Sequence, residues 1–415
     1  MRILFLSDFY PPLERGGYEQ WCQEVADAFR ARGHRVVVIT SRYGVDRLRE
    51  SELDVHRAFY LESDIEHYRP LEFFTQLPSR DRHNFKYLSS TIRDLQPDAI
   101  LVWGLWQLNP ELAVLAEELC PGRVGYYFCG YWPIIEEESD PHTAFWRQPE
   151  NRRWKNWLKR PVAQIALAQL QRRRQPKLER VTCVSKFVLN MYHRYGLARE
   201  GRVLYGGIQL DTFYRKPEPP SWPRTQPLRM LYAGQVAAHK GVDTAIKAML
   251  ELASRFNQDK VHLTIVGSGH PDFGKYLRDF VANHELEAYV TFRDWVDKDQ
   301  IPQLMREFDV MLFPSVWDEP LARTMLQGMA SGLTLVSTTT GGSGEILEHG
   351  KNSLTFTAGD ATDLARQIDR LLVEPGVAYS LAVAGQQTVL DKLSFDRMVT
   401  EMEDFVQSFA QTGPQ

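Results

Sequence analysis

The chain has 415 residues, 43% hydrophobic and 25% charged, with a formal net charge of −4. This length exceeds a single hydrophobic core and predicts two domains of roughly 200 residues, while the near-neutral balance argues against nucleic acid as a whole-surface partner. The longest apolar run, Ala99 to Trp106, has eight residues, well short of the roughly 18 needed to cross a bilayer. The opening MRILFLSDF has only four consecutive apolar residues before Ser7-Asp8. It reads as a strand rather than a signal peptide, so a cytoplasmic protein is expected. Cys22, Cys120, Cys129 and Cys183 lack zinc-like spacing and are expected to be free, mostly buried thiols.

Arg2 to Ser7 is the first strand, and Phe9-Tyr10-Pro11-Pro12 cannot continue it. After Arg15-Gly16-Gly17 an amphipathic helix is predicted from about Tyr18 to Arg32, with Trp21, Val25, Ala28 and Phe29 on one face. Gly33 ends it, and His34 to Thr40 is the next strand. Strand, glycine turn, helix and strand form the opening unit of a doubly wound α/β sheet. The turn is not G-x-G-x-x-G, which argues against a nicotinamide dehydrogenase. Further strands are predicted at Ala99 to Trp103, Val124 to Phe128 and Arg180 to Val184, and Ser185-Lys186-Phe187 opens a helix. A cluster of Pro217, Pro219, Pro220, Pro223 and Pro227 has neither helical nor strand period and reads as a linker over 216–227. It separates domains over 1–215 and 228–388, with a closing segment over 389–415. The second domain restarts the alternation, with strands at Leu228 to Ala233, Val261 to Val266, Val290 to Arg293, Val310 to Phe313 and Thr334 to Ser337.

One segment is compositionally unusual. From Asn151 to Arg180 there are ten basic residues and one acidic residue, Glu179, with Trp154, Trp157 and Leu158 interleaved. Basic residues among tryptophans suit the surface of an anionic membrane, and the alternative is a solvated helix packed on the first domain.

The stretch Leu312 to Ser331, LFPSVWDEPLARTMLQGMAS, reads as a buried strand end, a polar turn and a helix. Pro320 suits the first helical position, and Asp318 and Glu319 stand where a helix start favours negative charge. The amides of Leu321, Ala322 and Arg323 would then point above the strand ends, where phosphate binds readily. Gln327 follows Glu319 by eight residues, roughly 12 Å along a helix, about the span from a hexose to a ribose across a diphosphate.

This stretch resembles the E-x7-E signature of retaining glycosyltransferases of the family 4 type. Pro314-Ser315, Glu319, Leu321, Gln327-Gly328-Met329-Ala330 and Gly332 carry the likeness, with Gln327 where the family has its second glutamate. Pro11, Pro12, Gly16, Gly17 and Glu19 are similar to the family's opening P-P-x-x-G-G-x-E, and Gly341-Gly342-Ser343-Gly344-Glu345 to its G-G-x-x-E turn. Gly234-Gln235 before Lys240-Gly241 resembles G-R-x-x-x-x-K-G with glutamine in place of arginine. The resemblance implies the GT-B fold, two Rossmann-like doubly wound α/β domains facing a central cleft, with a closing helix near Phe395 to Phe409 that returns to the first domain.

The implied function is sugar transfer from a nucleotide-diphosphate sugar to a glycan, lipid-linked or small-molecule acceptor, with no metal or cofactor. Lys240 would neutralise the diphosphate and Glu319 would grip the hexose hydroxyls. Gln327 would hold the ribose, and Gln235, Gly16, Gly17, Gly267, Gly269, Val296, Leu321, Ala322, Arg323 and Thr324 would complete the donor site. The family's acceptor-side histidine is missing from Cys129-Gly130-Tyr131-Trp132-Pro133. Cys129, Tyr131 and Trp132 are therefore the acceptor-side candidates, with His142 as the nearest histidine. Glutamine at 235 and 327 and cysteine at 129 leave open a degenerate sugar-nucleotide-binding protein, and the architecture leaves open a nucleotide-sugar epimerase.

Overall fold

The computed structural model describes residues 1–48, 53–65, 67–134, 141–148, 153–219, 226–374 and 376–410, with the backbone alone at 153–156 and 158. Two compact units emerge. Unit 1 comprises Met1–Val184, Val188–Leu204 and Val399–Gln415, and unit 2 comprises Ser185–Phe187 and Tyr205–Met398.

Unit 1 is built on β1 (Arg2–Ser7), β2 (Arg35–Ser41), β3 (Val55–Phe59), β4 (Ala99–Gly104), β5 (Val124–Phe128), β6 (Val181–Cys183) and β7 (Arg202–Val203). They form one sheet in the order β3-β2-β1-β4-β5-β6-β7. Its pairs are parallel, as in β1 with β2 and with β4. Every residue of β4 and β5 is buried, as expected of a parallel sheet covered on both faces. The helix Gly17–Ala31 packs Trp21, Cys22, Val25, Ala26 and Phe29 inward. Ala26 takes the place expected of Ala28, which is only half-buried. Cys22, Cys120 and Cys183 are buried free thiols, and Cys129 is partly exposed.

Unit 2 repeats the plan with β8 (Leu228–Ala233), β9 (Val261–Val266), β10 (Val290–Arg293), β11 (Val310–Phe313), β12 (Thr334–Ser337) and β13 (Leu354–Thr355). The order is β10-β9-β8-β11-β12-β13. The helix Val242–Ala253 contributes Val242, Ala245, Ile246, Met249 and Leu252 to a continuous core with these strands. Strands β3, β7 and β13 escape sequence reading because they are short, edge-proximal and lack a continuous apolar run.

The unit boundaries differ from those expected at 215 and 389. The chain enters unit 2 at Tyr205, before the proline cluster, and leaves it at Met398. Backbone bonds explain this: Ile208 donates to the Leu393 carbonyl (2.9 Å) and Phe395 donates to that of Ile208 (2.9 Å). The Gln386 amide also holds the Arg215 carbonyl at 2.7 Å. Of the expected linker, residues 220–225 lie outside the described residues.

The closing helix Phe395–Gln407 ends inside unit 1. Glu403 accepts from Arg32 (2.6 Å) and lies 2.6 Å from His34 Nε2. Phe409 presses on β5 at Gly125, where any Cβ would collide with its ring. Phe409→Ala should cost about 3 kcal/mol, the usual toll of emptying a buried aromatic site. In urea unfolding followed by tryptophan fluorescence, the unit 1 transition should move to lower denaturant. An unchanged unit 1 transition would show that the terminal segment does not support it.

Candidate functional site

In unit 2 the chain builds outward from β8 in both directions, so the strand order reverses between β8 and β11. Open α/β sheets bind ligands beyond the carboxyl ends of the strands at such a reversal. The two loops leaving these strands meet there. Lys240 Nζ lies 2.5 Å from Glu319 Oε1. Glu319 is buried, at 7% exposure, and Ser315 Oγ stands 3.0 Å from the same oxygen. The Trp317 ring centre is 5.3 Å from Lys240 Nζ, close enough for a cation–π contact.

Neighbouring groups reinforce the pair. Tyr232 is buried and donates to the Gln235 carbonyl at 2.6 Å. Burial first, and the Glu319 charge second, push its hydroxyl well above the usual phenol range, so it remains a neutral donor. His239 is held below the usual imidazole range by burial and then by the Lys240 charge, and is neutral at pH 7. Lys240 therefore carries the positive charge at this end of the loop.

Backbone geometry fixes Glu319 from both sides. Gly341 and Gly342 donate to Asp318 Oδ1 (3.1 Å) and the Glu319 carbonyl (2.7 Å). Gly341 has φ of 59°, and a Cβ there would run into the Glu319 backbone. Gly241, at φ 68°, lies against the Pro314 carbonyl with no room for a Cβ. Thr338 Oγ1 ties down the Ser315 carbonyl at 2.7 Å. The same turn reaches further through Glu345, which accepts from the Lys186 amide (2.9 Å) and the Tyr205 hydroxyl (2.8 Å).

The helix after Glu319 differs from expectation. It runs Arg323–Ala330 with Ala322 as its N-cap, so Pro320 is not in its first turn. The first-turn amides of the helix are consequently those of Arg323, Thr324 and Met325, and Leu321 and Ala322 stand before it. Two hydrogen bonds from the Gly341-Gly342 turn hold 318–319 out of the helix. The eight residues from Glu319 to Gln327 thus do not lie along one helix, and the 12 Å estimate does not apply. Gln327 is buried while Gln235 is exposed.

Gly267 and Gly269 bring the β9 loop against the β8 loop. A Cβ on either would strike the Gly234 or Val236 carbonyl, and Val236 donates to the Ser268 carbonyl at 2.9 Å. Val296 is half-buried on the loop after β10. Ser315, Trp317 and Tyr232 were missed by sequence reasoning. Ser315 stands in the Pro-Ser pair that marks the motif, but nothing in the pattern says that its hydroxyl faces Glu319.

In unit 1 the strand order reverses between β1 and β4, and Asp8 follows β1 there. Gly16 is the extended N-cap of the helix starting at Gly17, without a side-chain cap. Glu19, in the first turn, is 1% exposed, and its Oε2 lies 3.2 Å from where a Gly16 Cβ would be. Tyr18 donates to Asp8 Oδ1 at 2.6 Å. Burial pushes Asp8 up to about 6, partly offset by Tyr18. Burial and then the Asp8 charge push Glu19 up to about 8. The helix dipole favours an anion at this position by only about 0.3–1 kcal/mol, and desolvation outweighs it.

The acceptor-side candidates separate. Trp132 is a core residue flanked by Tyr126 and Phe128, and Tyr192 donates to its carbonyl. Cys129 and Tyr131 stay half-exposed. His142 is buried, with Tyr68 Oη 2.8 Å from its Nδ1 and Glu62 3.9 Å from its Nε2. It packs against Phe73, a member of a small cluster that also holds Trp146.

The model for glycosyl transferases group 1 matches residues 227–374, and that for glycosyltransferase family 4 matches residues 15–212. Together they span most of the chain. It belongs to the family 4 type of group 1 glycosyltransferases. An uncharacterized glycosyltransferase of Methanocaldococcus jannaschii is 30% identical over 41% of this chain and 43% of that one. A GDP-mannose-dependent phosphatidylinositol monomannoside mannosyltransferase of Mycobacterium tuberculosis is 25% identical over 60% of this chain and 66% of that one. Matches to the Methanocaldococcus protein and to Mycobacterium tuberculosis glycogen synthase cover less than half of those chains. A glycosyltransferase from Rickettsia africae shares the fold, with a TM-score of 0.72 at 19% identity over 98% of both chains. Anabaena HepE, solved with UDP and glucose, has a TM-score of 0.69 at 19% identity over 98% of this chain and 99% of that one. In this family 4 glycosyltransferase both sheets are therefore Rossmann-like and parallel, and the fold is GT-B.

The buried acids make unit 1 sensitive to pH. A carboxyl with a folded pKa above its unfolded value binds a proton more tightly when folded. Its stabilisation is complete below the unfolded value of 4.5 and disappears as pH rises toward about 8. Urea unfolding at pH 5, 6.5 and 8 should show unit 1 losing stability as pH rises. Glu19→Gln should flatten that slope by up to about 1.4 kcal/mol per pH unit. Parallel slopes for the two proteins would show that Glu19 is ionised in the folded state.

Proposed function

We propose that the protein is a retaining glycosyltransferase that uses a nucleotide-diphosphate sugar as donor and a hydroxyl of a glycan, lipid-linked or small-molecule acceptor. The Lys240–Glu319 pair at the strand reversal of unit 2 carries this reading. Breaking the sugar–phosphate bond builds negative charge on the diphosphate, and a fixed cation beside it lowers the barrier. Lys240 supplies that cation without a metal. A diphosphate arriving at Lys240 takes over its ammonium, and Glu319 is released toward the hexose hydroxyls. In the family's front-face reaction, the acceptor oxygen bonds to the anomeric carbon as the carbon–phosphate oxygen bond breaks. The proton of the acceptor hydroxyl passes to a phosphate oxygen. No histidine is needed for that transfer, which accommodates cysteine at 129.

Two glycines at the head of a helix, Gly16 and Gly17, also suit close backbone approach to a ligand. The amide of Thr324, in the first turn of its helix, suits an anionic group of the donor. Gln327 is assigned to the ribose hydroxyls and Val296 to the base. HepE, crystallised with UDP-glucose, supports a nucleotide sugar as the donor class.

Lys240→Ala should fold normally and lower kcat about 100-fold or more, measured as sugar transfer or donor hydrolysis with a panel of nucleotide sugars. Turnover within about twofold of wild type, a change of only about 0.4 kcal/mol, would remove Lys240 from the reaction.

Gln235 and Gln327 replace a family arginine and glutamate, and are proposed as a balanced neutral exchange. A cycle of Gln235→Arg, Gln327→Glu and the double variant should show coupling, read by nucleotide affinity. The double variant should bind more tightly than the sum of the single effects. Strict additivity would leave Gln327 as an isolated hydroxyl ligand, because Gln327→Glu alone places a carboxylate in a buried site.

A further inference from the structure

The helix Arg153–Gln171 in unit 1 has two faces of different kinds. Ala163 and Ala166 are buried, and Leu167 and Leu170 pack with them against Phe73, Leu77 and Trp146. That face is fully used by the protein's own packing. The opposite face carries Trp157, Pro161 and Ile165, spaced four residues apart and therefore aligned along the helix. Trp157 is 77% exposed and Ile165 56%, with exposed Val162 alongside. Large apolar side chains aligned on the outside of a helix, with a finished core on its inside, require a partner.

Charge selects the kind of partner. The ten basic residues of this segment do not all remain available. Arg173 is committed to Glu62 at 2.6 Å, and Arg174 to Glu111 and Glu118. Arg180 pairs with Glu179 at 3.4 Å. The Lys159 ammonium sits 4.1 Å from the Phe145 ring centre and donates to the Gln148 carbonyl. Arg152 lies outside the described residues, as do the side chains of Arg153 and Lys155. The side chains of Arg160, Arg172 and Lys177 remain, exposed and with no ion pair among the described residues. Arg172 follows directly on the helix's last residue, Gln171, and Arg160 lies within the helix beside the line of Trp157, Pro161 and Ile165.

We infer that this face, centred on Trp157 and Ile165 and flanked by Arg160 and Arg172, docks the protein on the surface of an anionic lipid bilayer. No helix of the described residues is long and apolar enough to cross a membrane, so the contact is interfacial. Tryptophan and isoleucine enter the acyl boundary while the arginines remain among the headgroup phosphates. The inference stands apart from the donor site, because none of its residues is among those assigned to the donor.

The test is flotation of the full chain with phosphatidylcholine vesicles containing about one third phosphatidylglycerol, against pure phosphatidylcholine, at low and at 0.5 M salt. Wild type should float with the anionic vesicles at low salt, be released as salt screens the attraction, and stay unbound with the neutral ones. Trp157→Ala and Ile165→Ser should each weaken binding, about tenfold or more for Trp157. Arg160→Gln and Arg172→Gln should each cost about fivefold. Unchanged thermal melting and unchanged donor hydrolysis will show that the variants are folded. Failure of wild type to float at low salt overturns the inference. So does equal flotation of all four variants, or flotation with neutral vesicles that salt does not reverse.

Discussion

The candidate site depends on one constraint: a lysine and a glutamate, contributed by loops on neighbouring strands, must be held together beside the reversal of a parallel sheet. Two charges of this kind cost several kcal/mol each to desolvate, and their attraction repays that only with good geometry. The fold supplies the geometry through backbone rather than side chains. Gly241 lets the Lys240 loop lie on Pro314, and the Gly341-Gly342 turn grips Asp318 and Glu319. The glycines of unit 2 are thus less a cradle for ligand than a scaffold for an ion pair. Ser315 and Trp317 complete its surroundings. A buried pair is weak evidence for stability, which makes a functional reason for keeping this one more persuasive.

The two units share a strand order but differ electrostatically where the order reverses. Unit 2 places a cation and an anion at that point, with a neutral histidine and a neutral tyrosine beside them. Unit 1 places two carboxyls there, and burial raises the pKa of both. The shift is larger for Glu19 than for Asp8, so that end of the sheet carries less negative charge than its sequence suggests. A polar group in a low-dielectric site is governed first by desolvation and only then by its neighbours.

Much of the architecture could be read from the chain. The strands β1, β5, β8, β9, β10, β11 and β12 are short segments rich in apolar residues, and they lie where the sequence places them. The Lys240-Gly241 and Pro314-Ser315 motifs likewise lead to the site. What could not be read depends on long-range contact. The late start of the helix at Arg323 follows from a turn more than fifteen residues downstream. The entry into unit 2 at Tyr205 follows from bonds to the segment around Leu393. Trp132 looks like an acceptor-side residue in the motif but is core, because a tryptophan's apolar bulk fills the space beside Tyr126 and Phe128. The basic segment shows the converse: its charge count is visible in sequence, but how many charges remain unpaired is not.

The claim that a diphosphate and Glu319 compete for Lys240 is tested most directly by isothermal titration of UDP and GDP into wild type and Glu319→Gln. Removing the carboxylate frees the ammonium and takes a negative charge from beside the phosphates. The variant should therefore bind the free nucleoside diphosphate more tightly, while losing much of the transfer from the nucleotide sugar because the hexose hydroxyls exchange a charged acceptor for a weaker neutral one. Weaker or unchanged diphosphate binding by Glu319→Gln would contradict the account, since it would place the phosphates elsewhere than at Lys240.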